Sequence, residues 1–176
     1  MSRILSNQLL SSGSNIRNYL FLFLIWPFLA FLVAIKNYSQ KDAKKVVYIF
    51  LIYYGLTFVI GNNIMDATRY ATELKVTASL PFTDFFKIIK GLYTHEDSVD
   101  IYEPLVSFIV SRFTSDHRIL FAVFAAVFGF FYLKSINLLY SFYCKKHEIN
   151  SLIHLVFFII IIPITTINGV RMWTAA

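Results

Sequence analysis

The stretch Tyr19–Ile35, YLFLFLIWPFLAFLVAI, runs for 17 residues without a charge. A helix rises 1.5 Å per residue, so this run reaches about 25 Å, close to the lower limit for crossing a bilayer. Three further runs of the same character follow, at 46–64, 119–143 and 151–167. Lys134 interrupts the third and reads as a snorkelling lysine, and Pro163 lies inside the fourth, where lipid tolerates a kink. Over the 176 residues, 57% are hydrophobic, 15% are charged and the mean hydropathy is +0.63. Those values exclude a disordered chain and an ordinary water-facing domain. A cleaved leader is the rival reading of the first run, since Arg17 precedes it, but the run is longer than a leader's apolar core and no small-residue cleavage site follows cleanly. The sequence therefore predicts an all-α integral membrane protein, a single membrane domain over 1–176. It has about four transmembrane helices, with short interfacial or re-entrant helices in a long outer loop at 65–118.

Sixteen Lys and Arg against ten Asp and Glu leave a formal charge of +6. In a membrane chain that excess reports orientation rather than a nucleic-acid partner. Lys36–Lys45 holds four lysines and Lys145–Asn150 two more, whereas Met65–Arg118 spreads six bases among eight acids. Short basic loops stay in the cytoplasm, which puts the N-terminus and the 65–118 loop on the outer face. Cys144 is the single cysteine, so no intramolecular disulfide forms, and no Cys and His spacing resembles a zinc site. No metal or cofactor is expected.

Long loops that are not low-complexity are usually functional, and this one reads as structured segments. Asp66, Arg69, Tyr70 and Glu73 fall at i, i+3, i+4 and i+7, one face of a helix on which Arg69 reaches either acid. A salt-bridged surface helix accounts for that spacing. A sugar or phosphate site is the sharper account, with carboxylates accepting from hydroxyls, a tyrosine ring face and a bidentate guanidinium. In Ser79–Leu92, Phe82, Phe85, Phe86 and Ile89 recur opposite Asp84, Lys87 and Lys90, with Pro81 at the start and Gly91 as a stop. That pattern suits a short helix in the membrane interface or a lid on the spans. His95, Glu96, Asp97 and Asp100 match no metal-loop spacing and read as a solvated acidic turn.

Ile101–Phe113 is too short to cross the bilayer and reads as a re-entrant or half-buried helix. Pro104 suits its first turn and Glu103 its positive end. Asp116 and Arg118 flank the third span as interfacial anchors. After Ile167 come Asn168, Gly169, Val170 and Arg171, as though another helix were beginning. An arginine there either anchors to headgroups or binds an anionic ligand.

The order of these pieces resembles the EpsG-like family of bacterial exopolysaccharide polymerases, related to the Wzy-type O-antigen and capsule polymerases. The resemblance lies in a basic turn between the first two spans and in a Gly and Asp followed by an aromatic, here Gly61, Asp66 and Tyr70. It continues with the Glu-Pro-Leu-Val of Glu103–Val106, with Arg118 before a Phe-rich span ending in Lys, and with Gly169–Arg171. Met172 stands where the family has Gln after that arginine. Family members are about twice as long, so the resemblance makes this chain the N-terminal half of a longer polytopic protein.

The resemblance implies transfer of a glycan from one undecaprenyl diphosphate carrier onto a second lipid-linked repeat unit, at the outer face of the bacterial cytoplasmic membrane. Membrane lipids, a chain-length regulator and a flippase are the other partners it implies. The leaving diphosphate needs fixed positive charge, for which Arg171 comes first and Arg69 and Arg118 after it, with Tyr70 beside the sugar. The acceptor hydroxyl needs a carboxylate base, for which Glu103 or Asp66 would serve. Two other functions remain in view: a transporter or export component, and a catalytically silent accessory or truncated membrane protein.

Overall fold

The computed structural model describes residues 16–60, 65–94 and 102–143. The protein is all-α: those residues form seven helices and no strand. They fall into two compact units. The first takes the described residues up to Leu51 together with those from Gly129, and the second takes Ile52–Phe128.

In the first unit the opening apolar run divides into α1 (Ile16–Ile25) and α2 (Pro27–Lys36). The expected single span from 19 to 35 is thus two 10-residue helices, each about 15 Å long. Pro27 is the cause. It has no N–H, and its ring excludes the preceding residue from helical backbone. Trp26 accordingly lies extended, at φ −149° and ψ 91°, and α2 restarts with Pro27 in its first turn. After a turn, α3 (Lys41–Leu56) begins inside the basic loop, five residues before the apolar run, because Asp42 sits in its first turn and pairs with Lys45 at 3.1 Å. Phe31 stacks on Phe50 with ring centroids 4.2 Å apart, and Ala30, Ala34, Val46 and Leu51 are buried around them. Leu24, Ile25 and Trp26 are exposed.

The second unit holds α4 (Met65–Ser79), α5 (Phe82–Thr94), α6 (Tyr102–Ser111) and the first half of α7 (His117–Tyr143), with Phe82 of α5 against Phe108 of α6. Ala67, Tyr70 and Leu74 of α4 meet Val106 and Val110 of α6 and Leu120, Phe121 and Phe124 of α7 in one buried cluster. Those are the i, i+3 and i+7 positions of α4, the spacing that puts apolar groups on one face. The close approach of α3 to α7 depends on Gly55. A Cβ there would fall 2.5 Å from the Phe121 carbonyl oxygen and 2.6 Å from Ala125 Cβ, and neither atom can move aside.

Asp116 caps α7, its Oδ1 accepting the Arg118 backbone N–H at 2.9 Å. The helix then continues through Lys134, whose ammonium lies 4.5 Å from the Phe130 ring centroid. Its His117–Leu138 segment is the one stretch among the described residues long and apolar enough to cross a membrane. The helix α5 runs past Gly91 to Thr94, so that glycine is not a stop; open space around it leaves the backbone nothing to turn for. Residues 151–167, expected to form the fourth span, and the acidic turn at 95–100 lie outside the described residues.

Candidate functional site

The face carried by Asp66, Arg69, Tyr70 and Glu73 does lie on a helix, and α4 divides it. Tyr70 turns inward, is 1% exposed, and meets Phe124 edge-on at 6.0 Å. The expectation that its ring faces a sugar is therefore corrected: an aromatic ring at the i+3 position between Ala67 and Leu74 is taken by the core, where no saccharide reaches it. Arg69 and Glu73 flank that stripe. Arg69 Nε stands 3.6 Å from Glu73 Oε1, and the guanidinium carbon lies 4.9 Å from the Tyr70 ring centroid. The Nε and Nη2 atoms of Arg69 are closed off from solvent. Glu73 itself remains partly exposed.

Against this edge of α4 comes the first turn of α6. Pro104 is tolerated there because first-turn N–H groups have no intrahelical acceptor, and the positive helix end favours an acid. Glu103 nonetheless faces inward at 7% exposure, with Ser107, one turn on, donating its hydroxyl to Glu103 Oε1 at 3.0 Å. Glu73 and Arg69 are the charged neighbours that act on this carboxyl. Burial, then the neighbouring charge of Glu73, push the Glu103 carboxyl up to about 7, against smaller opposing effects of the Ser107 hydrogen bond and Arg69. A carboxyl poised there exchanges a proton at neutral pH, as a general acid or base must.

A hydrogen-bonded contact that joins these helices was not legible in the sequence. Arg112, just past α6, donates from Nη1 to the Leu80 carbonyl at 2.8 Å and from Nη2 to the Thr77 carbonyl, so it closes the C-terminal end of α4. Its guanidinium also lies over Phe108, 4.5 Å from the ring centroid. A lone arginine after an apolar helix carries no signal of which carbonyls it will find. The burial of Glu103 had a faint one, since Glu103 is the one carboxyl in an otherwise apolar and hydroxylated segment.

The remaining expected site residues are placed as follows. Arg118 is exposed at the start of α7, where its backbone N–H serves the Asp116 cap, and the charged neighbours acting on Glu103 are Glu73 and Arg69 instead. Asp66 belongs to the first turn of α4, but its side chain, like the whole of Arg171, lies outside what the structure describes. Among the described residues no group of three or more His, Cys, Asp or Glu side chains gathers that could hold a metal ion. No known protein family, characterised protein or solved structure matches the chain.

Proposed function

We propose that this chain is part of a membrane polysaccharide polymerase, which transfers an undecaprenyl-diphosphate-linked glycan onto a lipid-linked repeat unit at the outer face of the bacterial cytoplasmic membrane. In this reading four spans, at 19–35, 46–64, 119–143 and 151–167, hold the 65–118 loop outside. The kinked α1 and α2 together make the first crossing. The exposed apolar side chains of Leu24, Ile25 and Trp26 support a lipid-facing surface there.

The observation that carries the reading is Glu103, a carboxyl 7% exposed that accepts the Ser107 hydroxyl and is pushed up to about 7 by burial and by the charge of Glu73. Ionised Glu103 takes the proton from the acceptor sugar's hydroxyl. That oxygen bonds to the anomeric carbon of the donor glycan, and the bond from the anomeric carbon to the diphosphate breaks, the electron pair leaving with undecaprenyl diphosphate. Arg171, with Arg69 and Arg118 as further cations, neutralises the departing charge. Glu103→Gln and Arg171→Ala in the complete gene should abolish long polymer and leave single repeat units on the lipid carrier. A normal polymer ladder from either variant refutes its assigned role.

The same carboxyl favours a second reading, a proton-coupled transporter or export component, because a buried acid that titrates near neutrality also suits proton movement. The two part on where the repeat units collect. Loss of a polymerase leaves them on the outer leaflet, and loss of a transporter leaves them inside.

A further inference from the structure

We infer that α5 lies in the surface of the bilayer, its exposed phenylalanines among the acyl chains and its lysines at the headgroup phosphates, with Phe113 seated in the same layer. The inference rests on reading α7 as a membrane span, and it is independent of the transfer chemistry.

The exposed side of the helix carries it. Phe82 and Phe86 stand one turn apart, their ring centroids 6.1 Å from each other and edge to face, and both are exposed, Phe86 by 65%. Thr83, Lys87 and Lys90 are exposed beside them, and Lys87 pairs with Asp84 at 2.7 Å. A lid packed on the spans would hide its phenylalanines and leave only its lysines open, whereas on α5 both are open. Paired aromatic rings on a surface mark a contact with something apolar. Lysines flanking such rings suit a bilayer, because their stems lie along apolar surface while the ammonium groups reach the phosphates.

The anchoring of α5 sets the level at which this happens. Arg112 donates to the carbonyl of Leu80, two residues before Phe82, at 2.8 Å. Its guanidinium also lies over Phe108, whose ring centroid is 5.6 Å from that of Phe82. The start of α5 is therefore held to the end of α6. Phe113 follows Arg112, is 87% exposed, and stands four residues before His117, where the apolar stretch of α7 opens. Four residues of fully extended chain reach at most about 14 Å, so Phe113 and the first turn of α5 stand at the mouth of the span. The mouth of a span is the headgroup layer, and its negative phosphates are complementary to Lys87 and Lys90. The occupant of this face is thus the bilayer in which α7 itself sits.

The test places nitroxide labels on Phe86→Cys, Lys87→Cys, Phe113→Cys and Phe131→Cys, each in the full chain carrying Cys144→Ser, in nanodiscs of phosphatidylcholine and phosphatidylglycerol. All four labelled side chains are exposed, so the core is left intact. Oxygen, which collects in lipid, and a nickel chelate, which stays in water, report the depth of each label. Those at 86 and 113 should favour oxygen, about 5–10 Å into the boundary between headgroups and acyl chains, and that at 87 should favour the chelate. The label at 131, well inside the span, should favour oxygen more strongly still. If 86 and 113 meet the chelate freely while 131 lies in lipid, the span stands and the surface seating is overturned. Shielding of 86 from both reagents makes α5 a lid covered by protein and overturns it equally. A label at 131 in water removes the span itself, and the inference with it.

Discussion

Replacing Glu103 with Gln should change the way stability depends on pH, in a direction and amount that follow from its surroundings. Glutamine keeps an oxygen for the Ser107 hydroxyl and carries no charge, so it imitates the neutral state of the site. In the native protein the Glu103 carboxyl is pushed from 4.5 up to about 7, chiefly by burial. The folded state then holds that proton more tightly than the unfolded chain. The resulting stabilisation is complete below about pH 4.5 and is lost as the pH rises through about 7. Each pH unit of displacement corresponds to about 1.4 kcal/mol, and solvent around the half-exposed Glu73 screens part of its share, which leaves about 2–3 kcal/mol. For a chain of this length that corresponds to roughly 4–12 °C in melting temperature. Thermal unfolding of wild type and Glu103→Gln in the same detergent, from pH 4 to pH 8.5, isolates the effect, because the other carboxyls titrate alike in both proteins. The variant should match wild type at pH 4 and gain on it steadily, with the gap complete above pH 7.5. Parallel curves would show that Glu103 ionises as freely folded as unfolded, and the account of the site would be wrong.

Gly55→Ala drives a Cβ into the Phe121 carbonyl oxygen and Ala125, and should cost about 1–3 kcal/mol in denaturant or thermal unfolding. Gly91→Ala, in open space within α5, should instead stabilise that helix by up to about 1 kcal/mol, measured as slower amide exchange over 82–94. Removing Arg112 with Ala frees the carbonyls of Thr77 and Leu80, and should speed exchange at the C-terminal turn of α4 about fivefold to tenfold, with a loss of about 1 kcal/mol. Asp116→Ala removes the α7 cap and should cost about 1 kcal/mol, of which Asp116→Asn recovers most.

Much of the secondary structure could be read from local chemistry. The i, i+3, i+4, i+7 grouping of Asp66, Arg69, Tyr70 and Glu73 lies on α4, the Phe82 helix starts after Pro81, and Pro104 stands in the first turn of α6. Each of these depends on neighbours within a turn or two. The division at Trp26 was equally local, yet the length of the apolar run concealed the effect of Pro27 on it. Which side of α4 would be buried was less legible. Tyr70 reads as a binding residue when grouped with Arg69 and as a core residue when grouped with Ala67 and Leu74, and only the partners from α6 and α7 decide between them. The influence of Glu73 on Glu103 depends on the register at which α4 and α6 pack. Hydrophobic patterning fixes which faces meet, but not how near the charge of one acid comes to another.

The two interactions that link α4 to α6 lie at different heights along the pair. The charge of Glu73 acts on Glu103 at the first turn of α6, while Arg112 grips the last turn of α4 from the far end. Loss of the Arg112 guanidinium would therefore loosen α4 from α6 at the end remote from Glu103, and leave the surroundings of that carboxyl in place.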